Sequence, residues 1–138
     1  MDAAAALADL VEISPQIEAA AVVAGGGDLA GSVGLPEARA GVLARAVREL
    51  LDGAAAFRSD QGRVTQLRAE FADGDVFAVA ADERAIVAVA RGRVTPGLVF
   101  YDLKRCLAAL SAGSAGGQAA GARQEDRAAE DGAGADET

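Results

Sequence analysis

The sequence predicts an α/β domain of the α+β kind: helix, two strands, helix, three strands, helix, built as a five-stranded antiparallel sheet flanked by helices. Two long stretches repeat apolar residues at helical spacing, and three runs between residues 63 and 90 have strand length with turn residues between them. An antiparallel sheet with helices on its faces is then the simplest way to bury all of them.

Asp2 is placed to cap a first helix, in which Ala3, Leu7, Leu10 and Val11 share one face. Pro15 closes it, because the residue before a proline avoids the α region. The alanines of Ile17 to Ala24 favour helix, yet Pro15 and Gly25-Gly26-Gly27 bound the run at strand length. It reads as a strand, paired through the glycine turn with Leu29 to Val33.

Pro36 suits the first turn of a long helix running to about Phe57. Leu43, Ala46, Val47, Leu50, Leu51, Ala54 and Phe57 fall within about half its circumference. The other half holds Glu37, Arg45, Arg48, Glu49 and Asp52 among the small residues Ala38, Gly41 and Ala56. Arg45 with Glu49 and Arg48 with Asp52 are spaced as i,i+4 pairs, worth ~0.3 kcal/mol each. Gly41 costs roughly 1 kcal/mol relative to alanine inside a helix. It marks either a solvated face left unoptimised or the close approach of another chain.

Arg63 to Phe71 alternates, with Thr65, Leu67, Ala69 and Phe71 on one side and Gln66, Arg68 and Glu70 on the other. Asp73-Gly74 is a hairpin turn signal. Val76 to Ala81 and Ala85 to Ala90 flank a second turn at Asp82-Glu83 and are apolar on both sides, as strands in the middle of a sheet are. Thr95-Pro96 starts a last helix with the stripe Val99, Phe100, Leu103, Cys106, Leu107 and Leu110.

After Leu110 the composition changes. Residues 111–138 hold no Val, Ile, Leu, Met, Phe or Tyr, and carry six acids against Arg123 and Arg127. Such a segment has nothing to bury against the entropy of ordering it. The expected organisation is one domain over residues 1–110 and a disordered, acidic, Ala/Gly-rich tail over 111–138.

Composition narrows the function. The 138 residues include no histidine and one cysteine, at a formal net charge of −8. No imidazole base, His-containing zinc site, intramolecular disulfide or Cys-x-x-Cys motif can form. Net negative charge argues against nucleic acid, whose binding neutralises phosphates with Lys and Arg. The Met1-Asp2 start does not read as a signal peptide, no apolar run suggests a membrane span, and the expected location is the cytoplasm.

Individual motifs add no chemistry. Gly25-Gly26-Gly27-Asp28 lacks a following Gly-Lys-Ser/Thr and a helix N-terminus, so it reads as a turn and not a phosphate cradle. Asp73 and Asp75 around Gly74 offer too few oxygens for calcium. Cys106 sits mid-stripe and reads as a small buried hydrophobe. Arg84, Arg91 and Arg93 gather at the ends of the last strand, either to meet a partner's acids or to guard against edge pairing. No carboxylate pair stands out for acid/base work. The chain reads as a non-enzyme with no cofactor and no metal.

The element order, the long helix Glu37 to Phe57 after a short hairpin, and Arg91-Gly92-Arg93-Val94-Thr95-Pro96-Gly97-Leu98-Val99 together resemble the Roadblock/dynein light chain family, over residues from about 5 to 110. The family's first hairpin often carries Asp-Gly, where this chain has Gly-Gly-Gly-Asp. The resemblance implies a profilin-like or longin-like sheet that homodimerises, its third strand pairing with its own copy and its second helices lying side by side. The residues it marks for that interface are Ala38, Gly41, Val42, Arg45, Arg48, Glu49 and Asp52 on the helix, and Thr65, Gln66, Leu67, Arg68 and Ala69 on the strand. Bacterial members are similar to regulators of small Ras-like GTPases, one of which stimulates its GTPase without an arginine finger. The expected function is therefore a homodimeric regulatory or scaffold domain that binds a small Ras-like GTPase and can stimulate its hydrolysis, with no nucleic acid and no membrane insertion. The alternatives are a small-molecule sensor, for which the apolar runs offer few orienting polar groups, and a purely structural dimerisation domain of a signalling assembly.

Overall fold

The computed structural model describes residues 2–57 and 64–119, with side chains described as far as Leu110. Its elements are α1 (Ala3–Ile13), β1 (Ile17–Val23), β2 (Leu29–Val33), α2 (Glu37–Ala55), β3 (Gln66–Phe71), β4 (Gly74–Ala81), β5 (Arg84–Arg91) and α3 (Pro96–Ala119). The strands form one five-stranded sheet in the order β2-β1-β5-β4-β3, and every neighbouring pair is antiparallel. All eight expected elements are present, so the α+β fold read from the sequence is the fold observed.

Local chemistry accounts for most of the boundaries. The Asp2 carboxylate accepts from the Ala5 N–H at 2.8 Å and caps α1. At the other end the Ser14 N–H donates to the Leu10 carbonyl at 2.9 Å, just ahead of Pro15. Pro36 sits one residue outside α2, at its cap position, and offers no side-chain bond there. The β1–β2 connection is a turn, in which the Ala24 N–H bonds the Asp28 carbonyl at 2.8 Å. Ala30 is an extra residue in β2, because Val22 pairs with Gly31 and Val23 with Leu29.

The β3–β4 turn falls on Ala72-Asp73, one residue before the expected Asp73-Gly74. Gly74 instead opens β4 at φ +155°, where a β-carbon would run into the Ala90 carbonyl. Close approach between strands, not turn geometry, is why glycine stands there.

Alternation along the strands builds two cores. On one face, Val22, Phe77, Ile86 and Ala88 meet Leu7 and Leu10 of α1 and Val99, Leu103 and Leu107 of α3. On the other, Ala21, Val23, Ala78, Ala85 and Val87 meet Ala44, Val47 and Leu51 of α2. The stripe expected for α3 is the one that packs.

The stripe expected for α2 packs only in part, through Val47 and Leu51. Its buried residues are Ala40, Ala44, Val47 and Leu51, whereas Leu50 is 56% exposed and Phe57 89% exposed. The reason is position: α2 lies over β1, β2 and β5. The flank of α2 that carries Leu50 therefore overhangs sheet that no helix among the described residues covers.

The long helix expected from Pro96 continues past Leu110 to Ala119, nine residues into the segment expected to be a disordered tail. The rest of that expectation, from residue 120 onward, and the start of β3 expected at Arg63 lie outside the described residues.

Candidate functional site

The uncovered sheet forms a trough beside α2. Three clefts follow one another along β4. The first lies at Ala80 to Asp82, bounded by Leu51, Asp52 and Thr65. The second, about 140 Å³, lies at Val76 and Ala78 between Val47 and Leu50 of α2 and Leu67 and Ala69 of β3. The third, about 230 Å³, lies at Gly74 to Val76, with Leu35, Arg39 and Phe71 around it. The middle of the trough is almost wholly apolar. Its far wall is β3, a strand paired on one side alone. Leu50 at 56% and Phe71 at 60% exposure are large apolar side chains that the monomer leaves in water.

Among the described residues no group of three or more His, Cys, Asp or Glu is placed to hold a metal. Cys106 is buried and its thiol donates to the Ala6 carbonyl at 3.6 Å. Burial, with the Asp9 charge adding to it, pushes the thiol pKa up to about 11. That is the reverse of what a nucleophilic cysteine needs. Asp75 is bonded to Arg68, and Arg91 pairs across the sheet with Glu18 at 2.8 Å.

Neither a protein-family model nor a curated protein matches the sequence. Solved structures do match. A Roadblock/LC7 domain from Streptomyces avermitilis has a TM-score of 0.73 at 17% identity, covering 80% of this chain and 96% of that one. MglB of Myxococcus xanthus has a TM-score of 0.64 at 17% identity, covering 74% and 79%. The gliding protein MglB of Thermus thermophilus has 0.66 at 16% identity, covering 77% and 83%. The fold is that of a Roadblock/LC7 domain.

Within this Roadblock/LC7 fold the residues marked from the sequence divide into three groups. Leu67 and Ala69 are half-buried on the floor of the trough, and Thr65 lines one end of it. Gln66 and Arg68 alternate onto the opposite face of the sheet, where Arg68 lies over the Phe77 ring at 5.6 Å. Ala38, Val42, Arg45, Glu49 and Asp52 are exposed on the outer side of α2.

Two more of the α2 residues are Gly41 and Arg48. Nothing lies within 4 Å of where a Gly41 β-carbon would be, so no contact among the described residues requires glycine there. Arg48 folds inward: its Nη2 donates to the Glu83 carbonyl at 3.3 Å, and its Nη1 pairs with Asp52 at 3.7 Å. It ties α2 to the β4–β5 turn.

Leu50, Phe71, Val76 and Ala78 belong to the trough and were not among the marked residues. For Leu50 the signal was present. An apolar arc of about half a helix exceeds the ~100° stripe that one packed face needs.

Proposed function

We propose that this chain is a non-enzymatic, homodimeric regulatory or scaffold domain that binds a small Ras-like GTPase and stimulates GTP hydrolysis by ordering the GTPase's own switch segments. The observation that carries the reading is the trough. An apolar strip beside α2, with exposed Leu50 and Phe71 along it and an open strand edge for its wall, is self-complementary when related by a two-fold axis. A second copy would lay its own α2 against it and bring the outer residues Ala38, Gly41, Val42, Arg45 and Glu49 of the two helices together.

The GTPase partner follows from the resemblance to bacterial Roadblock regulators and from the likeness to MglB structures. A chain without histidine or an activated thiol suits a regulator whose partner supplies the chemistry. No described helix is long and apolar enough to cross a membrane, and we place the protein in the cytoplasm.

The test is to titrate the full chain into a small Ras-like GTPase of the same organism, loaded with GDP or with a GTP analogue, and to follow GTP turnover. Binding that favours the GTP-loaded form and faster turnover are expected. Absence of binding in both states would overturn the reading.

A further inference from the structure

Large apolar side chains are left in water on both sides of the sheet. Leu50 and Phe71 border the trough on the α2 side. Ile13, Leu98 and Tyr101, at 64%, 53% and 57% exposure, belong to α1 and α3 on the opposite side.

Two contacts bring these three together. Cys106 meets Ala6, and the Thr95 N–H donates to the Gln16 side-chain oxygen at 2.6 Å. The helices α1 and α3 therefore run antiparallel, and Ile13 comes level with the first turns of α3. Leu98, Tyr101, Asp102 and Arg105 follow at i, i+3, i+4 and i+7, so they share one face of that helix. Between the helices lies a cleft of about 160 Å³, with Leu10, Ile13 and Cys106 among its lining. That is room for one apolar side chain, since a cavity of about 150 Å³ in a protein core holds a benzene ring.

The rim of this cleft is acidic. Asp9 lines it from α1 and Asp102 from α3, and Glu12 is exposed one turn along from Asp9. Against them stands Arg105, laid over the Tyr101 ring at 5.8 Å. Among the described residues no basic group comes within ion-pair distance of Asp9, Glu12 or Asp102. The Asp9 charge is felt on the cleft floor, where it opposes ionisation of Cys106.

We propose that the α1–α3 cleft is a second docking site, which takes a basic amphipathic helix of another protein. One apolar side chain of that helix seats against Ile13 and Leu10, its neighbours cover Leu98 and Tyr101, and its Lys or Arg residues reach Asp9 and Asp102.

Charge and side-chain size select this occupant. Residues 111–138 of the chain itself hold no Val, Ile, Leu, Met, Phe or Tyr and carry six acids against two arginines. They neither fill the cleft nor suit its rim. A second copy meeting this surface through its own would set the three acids against the same three. Anionic lipid headgroups and nucleic acid are repelled by them as well. The site lies across the sheet from the trough, so it stays open when α2 is covered, and it does not rest on the homodimer or on the GTPase.

Fluorescence anisotropy with the full chain tests the site. The probe is a fluorescein-labelled synthetic helix with leucine at i, i+3, i+4 and i+7 and lysine at the positions between. Its counterpart carries glutamate in place of lysine. The lysine peptide is expected to bind and the glutamate peptide is not. Ile13→Ser should weaken binding about tenfold, through lost apolar contact. Asp9→Lys should weaken it about fivefold at low salt, by a margin that shrinks as salt is raised. Asp28→Lys makes the same change of charge on the exposed β1–β2 turn and should leave binding as it is. Ile13 and Asp9 are exposed, so melting temperatures close to the parent's are expected of both variants.

Failure of the lysine peptide to bind overturns the proposal. So does equal weakening by Asp9→Lys and Asp28→Lys with none from Ile13→Ser, which is attraction to net charge alone. A change in the mass of the unliganded chain on Ile13→Ser, measured by light scattering, overturns it too, because the surface then belongs between copies of this chain.

Discussion

Arg68 donates twice to one oxygen of Asp75, from Nε at 2.9 Å and from Nη2 at 2.7 Å. Asp75 is 9% exposed and sits one strand in from the edge, so its carboxylate depends on this guanidinium. Charge-assisted bonds of this kind are worth about 1.5–3 kcal/mol, and losing one partner costs more than the pair contributes net.

Arg68→Ala should therefore lower stability by about 2 kcal/mol in urea unfolding of the monomer. Asp75→Asn, which keeps the shape and drops the charge, should cost less. A double-mutant cycle between the two positions is expected to show coupling of about 1 kcal/mol or more.

Leu50 and Leu51 are adjacent in sequence and opposite in consequence. Leu51 is 4% exposed, and Leu51→Ala should destabilise the fold by about 2–4 kcal/mol. Leu50→Asp should leave unfolding within about 0.5 kcal/mol of the parent at concentrations where the chain is monomeric, and should weaken self-association measured by sedimentation. Equal effects of the two on unfolding would show that α2 seats differently on the sheet.

Cys106 should resist alkylation at pH 8 in the folded chain and react on unfolding. Burial raises its pKa from 9.0 to about 11 in the fold, so above pH 9 the unfolded chain releases a proton that the native one retains. Its contribution to stability is full below pH 9 and is lost as pH rises toward 11, a fall on the order of 2 kcal/mol. Cys106→Ala should flatten that part of the stability profile.

The two hairpins of β3–β4–β5 carry one position that would gain from glycine and one that needs it. Asp82 holds φ +57°, so Asp82→Gly should raise stability by up to about 1 kcal/mol. Gly74→Ala places a β-carbon against the Ala90 carbonyl and should cost more than about 1 kcal/mol. Thermal melts of the two variants check both signs.

Element order, helix caps and both sheet faces were legible because each rests on local chemistry: Asp2 before a helical stripe, Pro15 after it, alternation in β3. The α3 stripe was legible too, since that helix lies squarely on the sheet. The seating of α2 was not. Periodicity shows that Leu50 and Leu51 share an apolar arc but not which side of it meets the sheet, because that depends on which strands lie beneath. The same limit explains Arg48. Its i,i+4 partner Asp52 is written in the sequence, while the Glu83 carbonyl that it also reaches lies 35 residues away. Thr65, Leu67 and Ala69 could be assigned to one side of β3 from alternation, yet that the side is a trough follows from the strand order.

The extra residue in β2 bears on how far such a sheet can grow. Leu29 to Val33 carries no charge and no proline, the usual guards of an outer strand. With β3 occupied by a second copy, this strand would terminate the assembly at both ends. Ala30 breaks the even spacing of its amides, so an incoming strand finds no regular ladder to extend. One inserted alanine thus removes the template along which a further strand could add.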